Sequence, residues 1–522
     1  MRKMKQQVLV VLVMCTVMSG TIFAATNYVV TPGTPGVTPT ANYTSWATAA
    51  TNIQDAIDVV GSGGVVLVTN GIYILTNEIM VVNSITVRSF NNGTTDRDGT
   101  ILDGNYPITT NRCVNLDNTS AVLDGFTITN GYASIDSLTG DGGGIYLDQG
   151  TVTNCLVTGC EAGDDGGGVY VDGIATLTHS TISGNVATNG AGTGGGVYTW
   201  SVGGLVSDCQ INFNKANTGG GVFMRGANTV LGSVLQNSTI ANNTAFVYVS
   251  GQGSGGIGMQ FRGTIDNCII ASNHVFKVVG TPYTGGVKLH DGGILLNSLV
   301  IDNMLEIGFG AGITANGKLC IASNCVIRGN QGGNGGGIHL GSTALVVDSS
   351  IVSNSSAAYC QGGTMRNCLV GYNDGYGLWS HTVKGSVWEN CTVVGHQGVG
   401  MRFSQSNTVD SCIVYSNNNG GANWSYDGNT TASNSIWTSS CTTPELTGPN
   451  DTGNITNNPI FAAFAEGNYR LTSRSPCVNT GTNRDWMTGA VDRDGEPRLV
   501  GTTVDMGAYE FPPPLGTVII VQ

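Results

Sequence analysis

In this 522-residue sequence, Lys288, His290 and Asp291 form a compact group of titratable side chains on what we predict to be the outward face of a strand. A lysine or histidine can act as a general base, and a nearby cation can neutralise a carboxylate. Removal of the proton beside the carboxylate of a uronic acid requires both, and Arg262 could supply the cation from a neighbouring repeat. The three residues are therefore candidate catalytic residues, and the alternative is a group of solvated surface charges.

Four aspartates flank two glycine runs. Asp141 and Asp165 directly precede the runs, and Asp148 and Asp172 follow shortly after them. Carboxylates that stack closely repel each other unless one is protonated or a cation lies between them, and oxygen ligands suit Ca²⁺. These four residues are candidate ligands of a calcium ion, and we predict no other cofactor.

The elements that must position these residues are set by a short phrase that recurs twelve times. It consists of Asn, Asp, Ser or His, then Cys or Ser, then any residue, then Ile or Val, with a Trp in the last copy. Coils of a β-helix tolerate intervals of 19 to 30 residues because extra residues form loops at the corners. The phrases begin at Asn154, His179, Asp208, Asn237, Asn267, Asn297, Asn324, Asp348, Asn367, Asn390, Ser411 and Asn434.

The second and fourth positions of the phrase lie on one face of a strand, because side chains alternate along a strand. A face that carries a small residue followed by a β-branched residue in nearly every coil is predicted to point inward and to stack in register with the same face of the neighbouring coils. Three residues later, nine of the twelve coils carry an asparagine, which predicts a row of amides that hydrogen-bond along the rod. The row consists of Asn185, Asn214, Asn243, Asn273, Asn303, Asn330, Asn354, Asn373 and Asn417.

Cysteine usage follows the same pattern. Seven of the 14 cysteines occupy the inward column, where serine alternates with them, so we predict buried free thiols there. Of the others, Cys441 and Cys477 are our candidate pair for a disulfide in an oxidising compartment.

Each coil passes through a glycine run into a further strand, as in Gly142 to Tyr146. A phosphate-binding loop would need a helix after the glycines, so we interpret the runs as tight turns. The Gly-Gly-Gly-Ile/Val runs and the Ile-x-x-Asn phrase resemble the repeats of chlamydial polymorphic outer-membrane proteins, within the pectin-lyase-like superfamily. This resemblance implies an all-β fold, a right-handed parallel β-helix, over residues 64–440.

If Ile145 points inward, two outward stripes follow from the alternation. Aromatic faces at one-coil intervals could pack on sugar rings, and the alternative is that they only stiffen the sheet. We name Tyr146, Tyr170, Tyr198, Trp200 and Arg225 as candidate substrate-binding residues. The first stripe reads Tyr146, Tyr170, Tyr198, Phe223, Gly258, Lys288, Thr314, His339, Trp379 and Gly400, and the second reads Asp148, Asp172, Trp200, Arg225, Gln260, His290, Asn316, Gly341, His381 and Arg402.

The rod needs caps at both ends. Residues 25–63 contain Thr51 to Gln54, which predict a capping box at the start of a short N-terminal helix that ends at Gly61. Residues 441–522 contain phrases such as Val504-Asp505-Met506-Gly507-Ala508-Tyr509, which resemble the choice-of-anchor Q domain. We predict that this region forms the C-terminal cap.

Residues 1–24 begin with basic residues, continue with an apolar stretch and end with a small-residue cleavage site at Ala24. This pattern predicts a signal peptide. After its removal, no apolar run is long enough for a transmembrane helix. The formal net charge of −13 argues against nucleic acid as a partner. We predict a monomer that is secreted, extracellular or bound to a cell surface.

Two functions of different class remain. The first is a β-helix that presents an elongated face for carbohydrate binding or adhesion, with a polysaccharide or cell-surface glycan as its partner. The alternative is a pectate-lyase-like polysaccharide lyase, calcium-dependent if it is an enzyme, or a hydrolase of acidic polysaccharide. A purely structural rod is a third reading, and the first accounts best for low charge and regular coils.

Overall fold

The computed structural model describes residues 25–135, 140–188, 191–201, 203–226, 232–247, 253–277, 284–381, 385–427 and 432–512. The predicted signal peptide, residues 1–24, lies outside this part of the chain. No helix in the described ranges is long and apolar enough to span a membrane.

The strands form four long sheets that run side by side along a rod. Sheet A has 16 strands, from Thr26–Val29 to Ile436–Thr438, and sheet B has 15, from Gly71–Ile74 to Cys441–Thr442. Sheet C has 14 strands. Sheet D is shorter, with 8 strands from Tyr132–Ala133 to Gln331–Gly332. Each strand pairs in parallel with the equivalent strand of the next coil. The predicted fold, a parallel β-helix, is therefore confirmed.

One coil illustrates the path of the chain. It passes through Ala175–Thr178 in sheet A, Thr181–Ser183 in sheet B, Val186–Ala187 in sheet D and Val197–Ser201 in sheet C. The strands of sheet C are Ile79–Val81, Val114–Leu116, Ile145–Leu147, Val169–Val171, Val197–Ser201, Val222–Gly226, Ile257–Gln260, Val287–His290, Ile313–Asn316, Ile338–Leu340, Ala358–Cys360, Leu378–Ser380, Met401–Phe403 and Trp424–Tyr426.

The inward columns of the phrase form the core as predicted. Every Cys or Ser at the second position and every Ile, Val or Trp at the fourth is buried. Serine alternates with cysteine for a physical reason, since the Ser180 hydroxyl accepts a hydrogen bond at 3.1 Å from the backbone N–H of Cys155 one coil earlier. The 13 cysteines in the described ranges are all buried free thiols, and Cys441 and Cys477 share one small apolar cluster.

The first residue of the phrase makes the corner between sheets A and B. In eleven of the twelve copies it has a left-handed backbone, with φ between 48° and 55°. Asn, Asp and His are enriched among non-glycine residues with positive φ. This geometry explains the residue types at that position, which the alternation of side chains alone does not.

The predicted asparagine row is confirmed at the corner between sheets B and D. The Asn185 Nδ2 donates to Asn214 Oδ1 at 3.0 Å, and the same bond repeats in every coil up to Asn354 and Asn373. His396 takes the next place, where its Nδ1 accepts from the backbone N–H of Asn373 at 3.3 Å. The backbone N–H of His396 then donates to Asn417 Oδ1 at 3.1 Å, so the row continues past the substitution.

Both ends of the rod are covered. The N-terminal helix spans Ile53–Val59 and buries Ile53, Ala56 and Ile57 against the first coils. The predicted capping box is wrong, because Gln54 does not reach back to the helix start. Asn52 alone caps the helix by accepting from the Gln54 N–H at 2.8 Å, while the Gln54 side chain bonds to the Met80 backbone.

The other end is covered by residues after Thr442, which include short 3-10 helices Phe464–Glu466 and Asp485–Met487 and the antiparallel strands Phe461–Ala463 and Asn468–Leu471. Three further 3-10 helices are Trp46–Thr48, Asn418–Gly420 and Ala432–Asn434. The C-terminal segment also folds back along the rod, since the Asn390 Nδ2 donates to the Asp505 carbonyl at 3.1 Å. The fully buried Arg498 holds this segment in place, and its Nη2 lies 3.4 Å from Glu510 Oε1.

Candidate functional site

The outer face of sheet C carries seven of the predicted site residues, which are Tyr146, Tyr170, Tyr198, Trp200, Arg225, Lys288 and His290, whereas Asp291 and the four candidate calcium ligands lie in turns before or after its strands. The middle residues of its strands form a row in continuous register, which we call the central row. It reads Tyr146, Tyr170, Tyr198, Phe223, Gly258, Lys288, Thr314, His339, Tyr359, Trp379 and Arg402. Their neighbours along each strand, such as Ile145 and Leu147, point into the core.

A second row lies two residues further along each strand, and we call it the flanking row. Trp200 pairs with Arg225 and Arg225 with Gln260, while His290 pairs with Asn316. The row continues through Gln361, His381 and Ser404, whose backbone N–H groups donate to the preceding coil. It is half-exposed or exposed along its length, except for a buried Gly341.

The predicted stripes are wrong toward the C-terminal end of the rod. They omit Tyr359 from the central row, and they put Gly400 in that row and Arg402 in the second stripe. The structure pairs Trp379 with both Tyr359 and Arg402. The coils there are shorter, and Ala358–Cys360 does not follow a glycine triplet, so counting residues from the glycine runs loses the register.

The first four aromatic rings of the central row form a closed stack. Successive ring centroids from Tyr146 to Phe223 lie 5.1, 5.0 and 5.6 Å apart, with interplanar angles of 8°, 13° and 14°. Tyr198 is only 1% exposed, and Tyr170 and Phe223 are also buried. The expectation that these rings present open faces to solvent is therefore wrong, because each ring covers the next. Their role in binding stays a prediction.

The stack leads into an exposed pair of side chains. Trp200 is 37% exposed, and its ring centroid lies 6.3 Å from that of Tyr198. The Arg225 guanidinium carbon lies 4.4 Å from the Trp200 centroid, which is the geometry of a cation–π contact. We call Trp200 and Arg225 the proximal pair, and it is the part of the predicted binding set that solvent reaches most directly.

Two of the four candidate calcium ligands, Asp141 and Asp165, accept hydrogen bonds from the next coil, whereas Asp172 accepts from the N–H of its own neighbour Gly173. Asp141 Oδ1 accepts from the Asp165 N–H at 3.1 Å, and Asp165 Oδ1 accepts from the backbone and the hydroxyl of Thr193 at 2.8 and 2.7 Å. Burial raises the pKa of Asp165 to about 7 and that of Asp148 to about 6. Within the described ranges, no group of three or more His, Cys, Asp or Glu side chains is placed to hold a metal ion. The calcium site stays a prediction.

The structure brings the three candidate catalytic residues together in the middle of the face. His290 Nδ1 lies 3.1 Å from Asp291 Oδ2, and Asp291 Oδ1 accepts from the Lys318 N–H at 2.9 Å. Burial lowers the pKa of Lys288 to about 8. Burial also lowers the pKa of His290. The negative charge of Asp291 opposes this shift, and the positive charge of Lys288 adds to it. The Arg262 side chain lies against Gly292, so the predicted cation is close to this group.

A further cluster on the same face was not among the candidate residues. We call Tyr376, Trp379, His381, Arg402 and Asp427 the distal cluster. The Arg402 guanidinium carbon lies 4.7 Å from the ring centroid of Tyr376 and 4.9 Å from that of Trp379. Arg402 Nε donates to Asp427 Oδ1 at 2.6 Å.

Three more hydrogen bonds fix the distal cluster. The Ser404 hydroxyl donates to Asp427 and accepts from Trp379 Nε1 at 3.4 Å, while the Tyr359 hydroxyl bonds to His381 Nδ1 at 2.7 Å. Burial would raise the pKa of Asp427, but the hydrogen bonds from Ser404 and Arg402 outweigh it and hold that pKa below its ordinary value. Trp379 and His381 are in the predicted stripes, whereas Tyr376 and Asp427 lie outside the strand pattern and carry no periodic signal.

Comparison with known proteins adds little to this geometry. No family model matches the sequence, and a search of curated proteins found no match. A PL6-family polysaccharide lyase from Pseudopedobacter saltans is 12% identical over 88% of this chain and 98% of its own, with a TM-score of 0.37. The pectate lyase Pel9A is 14% identical over 93% and 96%, with a TM-score of 0.31.

PfbA, a surface adhesin of Streptococcus pneumoniae, is 12% identical over 68% of this chain and 88% of its own, with a TM-score of 0.25. Scores at this level say nothing about the function of the chain, and the fold rests on its own strand pairing. The resemblances to outer-membrane repeats and to the choice-of-anchor Q domain stay predictions.

Proposed function

We propose that this protein is a secreted or cell-surface β-helix that binds a polysaccharide or cell-surface glycan along the outer face of sheet C. The observation that carries the proposal is the exposed proximal pair in line with a half-exposed row of hydrogen-bonding side chains. An indole ring can pack on the apolar face of a sugar, and the side chains of Gln260, His290 and Asn316 can bond to hydroxyl groups.

The charges along the face favour an acidic glycan in its middle. Arg225, Arg262 and Lys288 bring positive charge to this part of a chain whose net charge is −13. The predicted calcium ligands lie before Trp200 and make that end of the face acidic. An acidic polysaccharide would therefore bind from Arg225 onward, where its carboxylates meet cations.

The test is binding of the mature chain, residues 25–522, to pectic, other acidic and neutral polysaccharides by isothermal titration calorimetry. Trp200→Ala should weaken binding by about 10-fold because it removes the aromatic surface of the proximal pair. Phe213→Ala is the matched control, since Phe213 is 60% exposed at a corner away from sheet C. Failure to bind any polysaccharide would refute the proposal.

The wider context of the protein belongs to the same proposal. We infer that residues 1–24 direct export. We also infer that residues 441–522 form a choice-of-anchor Q-like module, which follows repeats related to those of polymorphic outer-membrane proteins. Fractionation of the producing cells tests this inference, because recovery of the protein from the cytoplasm would contradict it.

A second candidate function is a lyase of acidic polysaccharide, and the Lys288 group favours it. Neutral Lys288 would take the proton from the sugar carbon beside the uronate carboxylate, and Arg262 would neutralise that carboxylate. The electron pair of the broken C–H bond would form a double bond as the glycosidic oxygen leaves. Because the pKa of Lys288 is lowered to about 8, activity should rise as the pH approaches 8.

Release of unsaturated uronide, followed by its ultraviolet absorbance, tests the lyase. Lys288→Ala should abolish product formation while binding persists, and Lys318→Ala is a control at an exposed lysine on the neighbouring coil. Product formation that survives Lys288→Ala would exclude Lys288 as the base. The assay is run with and without added calcium, since the predicted lyase is calcium-dependent.

A further inference from the structure

The proximal pair and the distal cluster lie on one straight sheet face. Trp200 belongs to Val197–Ser201 and Trp379 to Leu378–Ser380, and six strands of sheet C lie between them. Neighbouring strands are about 4.8 Å apart, so the two indoles are separated by roughly 34 Å along the rod. The strand pairing is unbroken over this distance, which fixes the separation.

The two groups share their chemistry. Each places an arginine against a tryptophan, with Arg225 4.4 Å from the Trp200 centroid and Arg402 4.9 Å from the Trp379 centroid. Each thereby offers an aromatic surface beside a cation. In the distal cluster, Asp427 also holds the guanidinium in place, so little conformational entropy remains to be lost on binding.

The surface between them suits an extended polar ligand. The flanking row supplies half-exposed hydrogen-bonding side chains at Gln260, His290, Asn316 and Gln361. Gln361 Oε1 is already 3.1 Å from His339 Nε2, which orients that amide. A linear chain lying along the rod would therefore meet a polar group in most coils between the two indoles.

We infer that the proximal pair and the distal cluster are two subsites for a single linear polysaccharide that lies parallel to the rod. This inference rests on the proposed function. A chain that spans both subsites binds the second one intramolecularly, at a high effective concentration, whereas a short oligosaccharide occupies only one. Affinity should therefore rise in a step at the chain length that bridges the two indoles.

The experiment is calorimetric titration of the mature chain with size-fractionated oligosaccharides of the polysaccharide that it binds best. We expect bridging chains to bind at least about 10-fold more tightly than trisaccharides, which cannot span the separation. Trisaccharides should bind with two sites per protein and bridging chains with one. Trp200→Ala and Trp379→Ala should each lower the affinity for bridging chains to the short-chain value and leave one trisaccharide site.

Tyr376→Ala is a second distal variant, because Tyr376 is 36% exposed and its removal leaves the core intact. Phe213→Ala is the control, and unchanged thermal midpoints verify that the variants fold. Tight binding that does not depend on chain length, or that neither distal variant weakens, would overturn the two-subsite inference alone. Absence of binding at every length would instead refute the proposed function.

Discussion

The outer face of sheet C contains two aromatic groups that differ in how their rings meet. From Tyr146 to Phe223, like rings stack with interplanar angles of 8° to 14° and are mostly buried. In the distal cluster, the Trp379 ring meets the Tyr376 ring at 54°. Both groups lie on the outer side of sheet C, yet Tyr170, Tyr198 and Phe223 are buried, whereas Trp379 is half-buried and Tyr376 is 36% exposed. An outward position in a β-helix is therefore not the same as exposure.

The cause of this difference is the sequence of neighbouring coils. A ring repeated at the same position is placed about one strand spacing from the next, which is close to the optimal stacking distance. In the distal cluster, neighbouring coils carry different residues at this position, and Arg402 packs against the tilted rings of Tyr376 and Trp379. We therefore expect the first group to contribute mainly to stability and the second to be open to a ligand.

The strongest test of this contrast is Tyr198→Ala. Removal of a buried ring from the middle of the stack should lower the free energy of unfolding by about 3–5 kcal/mol, measured by urea denaturation. Tyr198→Phe keeps the ring and should cost no more than about 1 kcal/mol. A small effect of the alanine variant would show that the stack does not stabilise the rod.

A second test uses the carboxyl group beside the stack. Burial raises the pKa of Asp165 to about 7, so folding disfavours its charged form. The resulting stability is present at low pH and is lost as the pH rises from the ordinary value of 3.8 to about 7. Asp165→Asn should therefore unfold at a higher urea concentration than the wild type at about pH 8, and the gain should shrink at about pH 4.5.

The control for this pH dependence is Asp164→Asn, because Asp164 is the exposed neighbour on the same turn. Its urea midpoint should follow that of the wild type at both pH values. An equal response of the two variants would mean that burial of Asp165 is not the cause.

The smallest effect on stability is expected in the distal cluster. Tyr376→Ala should change the free energy of unfolding by no more than about 1 kcal/mol, since the ring is 36% exposed. Urea denaturation beside Tyr198→Ala measures the difference directly. A loss as large as that of Tyr198→Ala would make both aromatic groups structural and remove the contrast.

Much of the fold could be predicted because its signal is local and repeated. The Cys or Ser column, the Ile or Val column and the asparagine row each recur at fixed offsets within the phrase, and each is where the alternation of side chains places it. The register of Arg402 could not be predicted in the same way. It depends on the lengths of the corners between strands, which vary from coil to coil.

The site was predicted less completely for a different reason. Lys288, His290 and Asp291 lie within four consecutive residues of the sequence, and the structure keeps them together. The burial of Tyr198 depends on a ring one coil away on each side, and Asp427 reaches Arg402 from outside the repeated strands. Neither the burial of Tyr198 nor the contact of Asp427 with Arg402 can be predicted from the residue types within one coil.

The asparagine row also has a direction along the rod. From Asn185 to Asn354, each Nδ2 donates to the Asn Oδ1 of the next coil and also to a backbone carbonyl of the preceding coil, so each amide links three coils. At His396, the backbone N–H of Asn373 donates to the imidazole Nδ1, and burial lowers the pKa of this imidazole to about 4. A protonated imidazole would place its own Nδ1–H donor against the N–H donor of Asn373. The hydrogen-bonded row therefore continues only past a neutral imidazole.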